Sequence, residues 1–95
     1  MAYVTTSKWT YDDTLDEAAL IESARDNLTQ LKAMGASSGH LVRIGQNEGL
    51  VIVIYPDEGA WNRVRETVEH MRRDTSAQKG GVFTEALSGT AVVSV

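Results

Sequence analysis

The chain has 95 residues and a net charge of −4, from 13 acidic and 9 basic side chains, and it contains no cysteine. Disulfide frameworks, thiolate catalysis and cysteine-ligated metal centres are therefore excluded, and mixed charge with an acidic surplus argues against general binding of nucleic acid or anionic membranes. The length suits a single domain over residues 1–95, burying about 65% of its unfolded surface. No apolar run approaches the roughly 20 residues that span a bilayer. Met1 to Thr6 lacks the basic region and apolar core of a signal peptide. The expectation is a cytoplasmic protein.

Ala2 to Tyr11 is rich in Val, Thr, Trp and Tyr without helical period and reads as a strand. Thr14-Leu15-Asp16-Glu17 fits a capping box, in which the Thr14 hydroxyl and Glu17 carboxylate would satisfy amides at a helix start. Leu20, Ile21, Ala24, Leu28 and Leu31 then share one stripe at helical spacing. Gly35 follows Met34 where a C-terminal cap with positive φ belongs. His40 to Gln46 reads as a second strand and Asn47-Glu48-Gly49 as a three-residue hairpin loop. Leu50 to Tyr55 is a strand of six large residues, closed by Pro56. Asp57 suits the N-cap of a second helix, with Glu58 favourable at its positive end. Ala60, Trp61, Val64, Val68 and Met71 form its apolar stripe. Asp74 to Gly81 reads as loop. The tail Val82 to Val95 is strand-like, interrupted at Ser88-Gly89, and forms one strand with a bulge or two short strands around a turn.

The order β-α-β-β-α-β predicts an α+β, ferredoxin-like sandwich: a four-stranded antiparallel sheet with two helices on one face and the other face bare in a monomer. A loop at Asn47 to Gly49 sets Gln46 opposite Leu50, Ile44 opposite Ile52 and Val42 opposite Ile54. Cross-strand partners share a face. Val42, Ile44, Leu50, Ile52 and Ile54 are then assigned beneath the helices, together with Val4, Thr6 and Lys8. Leu41, Arg43, Gly45, Val51, Val53 and Tyr55, with Tyr3, Thr5, Ser7, Trp9 and Tyr11, are assigned to the open face. A one-residue slip would exchange the two sets.

With this element order, and with the passage Tyr55-Pro56-Asp57-Glu58-Gly59-Ala60-Trp61 leading from strand into helix, the chain resembles the dimeric α/β-barrel superfamily. That group contains the antibiotic-biosynthesis monooxygenase-like domains. The resemblance spans nearly the whole chain and is a signature of fold, not of catalysis. It implies a homodimer joined through the open sheet faces, with a small-molecule cleft between sheet and helices or at the barrel mouth. Activities in the superfamily include cofactor-free oxygenation, haem breakdown and lactone isomerisation, and fold alone does not choose among them. The histidine, asparagine and tryptophan of the haem-degrading members have no matching local sequence here.

Among individual residues, Arg43 is a cation amid apolar strand residues, able to hold a carboxylate or enolate, or else an interface ion pair or a snorkelling edge residue. Tyr55 and Ser7 could hydrogen-bond a ligand, and Trp9 with Tyr3 could shape a cleft wall. Packing roles are the simpler reading for Tyr55, for a strand-end His40 on the helix side, and for Trp61 as a core anchor. Glu66, His70 and Asp74 share a helical face opposite the apolar stripe, which marks them as solvated rather than as metal ligands. Cys-x-x-Cys, ribonucleoprotein aromatics and a phosphate loop are all missing. The expectation is a cofactor-free homodimer that binds a small apolar or aromatic molecule through Arg43, Tyr55, Trp9, Tyr3 and Ser7, as a monooxygenase or isomerase. The competing expectation is a non-catalytic dimerisation or ligand-sensing module.

Overall fold

In a computed structural model, residues 1–12, 16–78 and 81–95 are described. The order is β1 (Tyr3–Thr10), α1 (Glu17–Ala33), β2 (Ser38–Gly45), β3 (Glu48–Tyr55), α2 (Glu58–Gln78) and β4 (Val82–Thr90). The sheet runs β2-β3-β1-β4 with every neighbouring pair antiparallel. This is the ferredoxin-like β-α-β-β-α-β arrangement, with both helices on one face of the sheet.

Helix termini follow the local chemistry. Asp16 is the N-cap of α1, and its carboxylate accepts from the Ala18 amide at 3.0 Å. Thr14 lies outside the described residues. The α1 terminus is capped at Met34, and Gly35 takes φ +124°, where a side chain would be strained. Asp57 accepts from the Ala60 amide at 2.8 Å at the start of α2. Asp74 and the residues after it continue α2 to Gln78 rather than forming a loop. Good helix formers there (Arg72, Arg73, Ala77, Gln78) extend the helix beyond its apolar stripe.

The hairpin is tighter than its composition suggests. Gly45 pairs with Glu48, which leaves Gln46 and Asn47 as the turn, with Asn47 at φ 59°. Asn tolerates this left-handed conformation, so the turn closes two residues early and Gly49 becomes a buried strand residue. Val42 therefore faces Leu50, and His40 faces Ile52. The difference from the expected pairing is an even number of residues, so the two sets of side chains survive it. The tail is one strand, β4, with its irregularity opposite Lys8 and Trp9 instead of at Ser88-Gly89. The Thr84 hydroxyl donates to the Lys8 carbonyl at 3.1 Å there.

The sidedness of the sheet is the reverse of the expected one. Thr5, Ser7, Trp9, Val53 and Tyr55 are buried beneath the helices, packed toward Leu31, Ala60, Val64 and Val68. Val4, Thr6, Lys8, His40, Val42, Leu50, Ile52 and Ile54 form the uncovered face, as their pairings require. The aliphatic set is uniformly apolar, which by itself suits it to a core. The helices instead cover the mixed aromatic and hydroxyl set. α1 approaches β2 closely at Gly39, where a Cβ would lie 2.7 Å from Leu28 Cδ2. Further along the sheet the two helices leave unfilled space.

Candidate functional site between sheet and helices

That space is a cavity of about 90 Å³, room for about three water molecules. β1 supplies its floor with Thr5, Ser7 and Trp9, alternate residues that a strand turns to one side, and Tyr11 follows just beyond the strand. β3 adds Val51 and Val53. Leu20, Ser23, Asn27 and Leu31 descend from α1, while Val68, Met71 and Arg72 descend from α2. Among the described residues this wall carries no carboxylate and no imidazole.

Its polar groups are few and ordered. Trp9 Nε1 donates to Ser7 Oγ at 2.9 Å, inside the protein. Trp9 packs on Phe83 of β4, with ring centroids 5.3 Å apart and planes tilted by 53°. Arg72 lies over the Phe83 ring, its Cζ 5.2 Å from the centroid. The guanidinium is half-buried, and among the described residues no carboxylate lies within ion-pair distance of it. Burial lowers its pKa, opposed by the phenol of Tyr55 and by Glu69. An aromatic ledge thus holds a desolvated cation at the edge of an apolar cavity.

Of the five residues expected to meet a ligand, the fold brings Ser7 and Trp9 to the cavity wall. Tyr55 is fully buried but lies off the wall, tilted against Trp61 at 5.5 Å between centroids. Its hydroxyl is buried without a hydrogen-bond partner, and burial raises its pKa above 10.0 while nearby Arg72 opposes the shift. Tyr3 sits on the same face, also off the wall, and donates to Ser88 Oγ at 3.2 Å. Arg43 is exposed and ion-paired with Glu17 at the start of α1. His40 lies on the open face, away from the helices. His70 and Asp74 are exposed and 3.7 Å apart, and no metal-binding group of three occurs among the described residues.

Arg72 is not among the residues that the sequence singles out. Its signal was position: Arg72 follows Met71 and stands four residues after Val68, so it borders the stripe that faces the sheet.

No protein-family profile and no curated protein matches the chain. Solved structures do. Rv0793 from Mycobacterium tuberculosis superposes with a TM-score of 0.72 at 15% identity, covering 99% of this chain and 98% of that one. SnoaB, a cofactor-independent oxygenase from Streptomyces nogalater, gives 0.67 at 18% identity, covering 99% and 96%. A dimeric ferredoxin-like protein from an uncultured marine organism gives 0.67 at 13% identity, covering 100% and 98%. The shared feature is the fold. No helix among the described residues is long and apolar enough to cross a membrane.

Proposed function

We propose that the chain binds a small aromatic molecule with an acidic hydroxyl in the cavity between sheet and helices, and supports its cofactor-free oxygenation. Arg72 is the observation that carries this reading: a half-buried guanidinium without an ionic partner among the described residues, beside a cavity otherwise lined by apolar and neutral groups. A phenolate or enolate oxygen would satisfy it with a charge-assisted hydrogen bond. Thr5 and Ser7 offer hydroxyls, and Trp9 offers a flat wall.

With no base on the described wall, ionisation falls to the substrate, whose acidity the neighbouring cation increases. The electron-rich anion then donates to O₂ and forms a C–O bond at a ring carbon bearing hydrogen. The resulting hydroperoxide loses water to leave a carbonyl. The protein contributes anion stabilisation and a shaped, dry site. The likeness to SnoaB supports the fold's capacity for such chemistry.

The open face completes the proposal. Val42 and Ile44 are 39% and 44% exposed, and Leu87 is 62% exposed, beside Val4, Leu50, Ile52 and Ile54. A contiguous aliphatic face of this kind fits a second copy of the chain.

Titration with 6-methoxy-2-naphthol, read by quenching of Trp9 emission in a Trp61→Phe background, tests binding. Oxygen uptake with anthrone, whose enol supplies its own electrons, tests chemistry. Saturable quenching with oxygen uptake supports the proposal. Quenching without uptake leaves a ligand-sensing module, and no quenching removes the site.

A further inference from the structure

The ring of Tyr11, just beyond β1, sits in a slot that two buried glycines leave for it. A Cβ at Gly81, the residue before β4, would lie 3.1 Å from Tyr11 Cε1 and 3.4 Å from its Cδ1. A Cβ at Gly49 of β3 would lie 3.4 Å from Tyr11 Cε2 and 3.5 Å from the hydroxyl oxygen. Because β4 and β3 flank β1 on its two sides, the ring lies across the line of β1 and is held at both edges. A side chain at Gly81 would crowd it, so the seat depends on glycine there.

Tyr11 lines the cavity between sheet and helices, and it also lines a separate groove between α1 and the β2–β3 hairpin. Leu20, Ala24, Leu28 and Leu41 share this double position, and together the five side chains form the wall between the two spaces. Tyr11 is the largest of them and the only one with a ring. Pinned at both edges, it is a fixed part of that wall and not a gate.

We propose that Tyr11 sets the length of ligand that the cavity accepts, as a specificity-determining wall and not through its hydroxyl. The inference rests on the ring-binding reading above and adds the residue that limits it. A cavity of about 90 Å³ leaves a ringed ligand pressed on its walls. The ligand oxygen is drawn to Arg72, which lies over Phe83 of β4. The far end then points across β1 toward β3, the side on which the Tyr11 ring meets Gly49. Space beyond the ring is already open as the groove, so the ring itself is what stops a longer ligand.

Two probes share the ionising hydroxyl and the fused rings and differ at the far end: 6-methoxy-2-naphthol and 6-benzyloxy-2-naphthol. Calorimetric titration of the native chain is expected to favour the methoxy compound by about tenfold or more, the scale of forcing bulk into a packed wall. Tyr11→Ala is expected to bring the ratio of the two dissociation constants to about one, by strengthening the benzyloxy compound. Tyr11→Phe keeps the ring and is expected to keep the native ratio. Tyr11→Leu, which still packs between the glycines, should lower the ratio severalfold and serves if Tyr11→Ala does not fold. A tyrosine that only supported the fold would weaken both compounds alike. A native ratio near one, a ratio unchanged in Tyr11→Ala and Tyr11→Leu, or a ratio already lost in Tyr11→Phe overturns the assignment, while binding of the methoxy compound leaves the ring site standing. Failure of both compounds to bind the native chain overturns both readings.

Discussion

Trp9 and Ser7 are neighbours twice over. They are two residues apart on one strand, hence on one face, and the indole N–H of Trp9 donates to Ser7 Oγ at 2.9 Å under the helices. A tryptophan can floor an apolar cavity only if its N–H is satisfied, and the strand itself supplies the acceptor. Ser7→Ala leaves that N–H buried without its partner at a cost of about 1–3 kcal/mol. Chemical denaturation should show the loss, together with a changed emission maximum for Trp9.

Tyr55 presents the opposite case, a fully buried hydroxyl with no partner. Removing an unsatisfied polar atom while keeping the ring should stabilise the fold. Tyr55→Phe is expected to gain about 1 kcal/mol, a rise of about 4–8 °C in Tm for a domain of this size. A lower Tm would mean that the hydroxyl is satisfied in solution.

The same burial sets an alkaline limit. The phenols of Tyr55 and Tyr11 are both held above 10.0 by desolvation, with Arg72 partly opposing the shift at Tyr55. Once unfolded they ionise near 10.0, while in the fold they keep their protons. Above that pH the unfolded state binds fewer protons than the native state, so stability falls as pH rises from about 10 toward the folded pKa values. Thermal melts between pH 8 and 11 should be level at first and then decline, with a shallower decline in Tyr55→Phe.

Arg72 should matter for ligand charge more than for ligand shape. Arg72→Met keeps length and apolar contact with Phe83 but removes the cation. It should weaken 6-methoxy-2-naphthol, bound as its anion, by about tenfold or more, the scale of a charge-assisted hydrogen bond. Neutral 2-methoxynaphthalene should bind equally to both forms. Calorimetric titration of the two compounds distinguishes these outcomes.

Ile52 occupies the middle of the uncovered face, opposite Thr6 on one side and His40 on the other. A carboxylate there would have to be desolvated by a second copy. Ile52→Asp should shift the mass measured by light scattering from dimer to monomer while leaving far-ultraviolet circular dichroism unchanged. A native chain that is already monomeric at micromolar concentration would remove the dimer from the proposal.

The element order, the Asp57 cap, the Gly35 terminus and the division of strand residues into two alternating sets were all legible in the sequence. Each depends on near neighbours: a side chain three residues from an amide, a backbone angle, a period of two. Even the mistaken hairpin loop left the sets intact. What the sequence did not contain was which set the helices cover. Both sets are apolar enough for a core, and no local rule separates Val53 and Tyr55 from Ile52 and Ile54. The choice is made when each helix crosses from one strand to a parallel one with right-handed sense, which fixes the covered side of the sheet. That tertiary decision put Ser7 and Trp9 into a cavity and left Ile52 facing outward. It also sent Arg43 to the rim and gave Arg72, twenty-nine positions later, a place at the site.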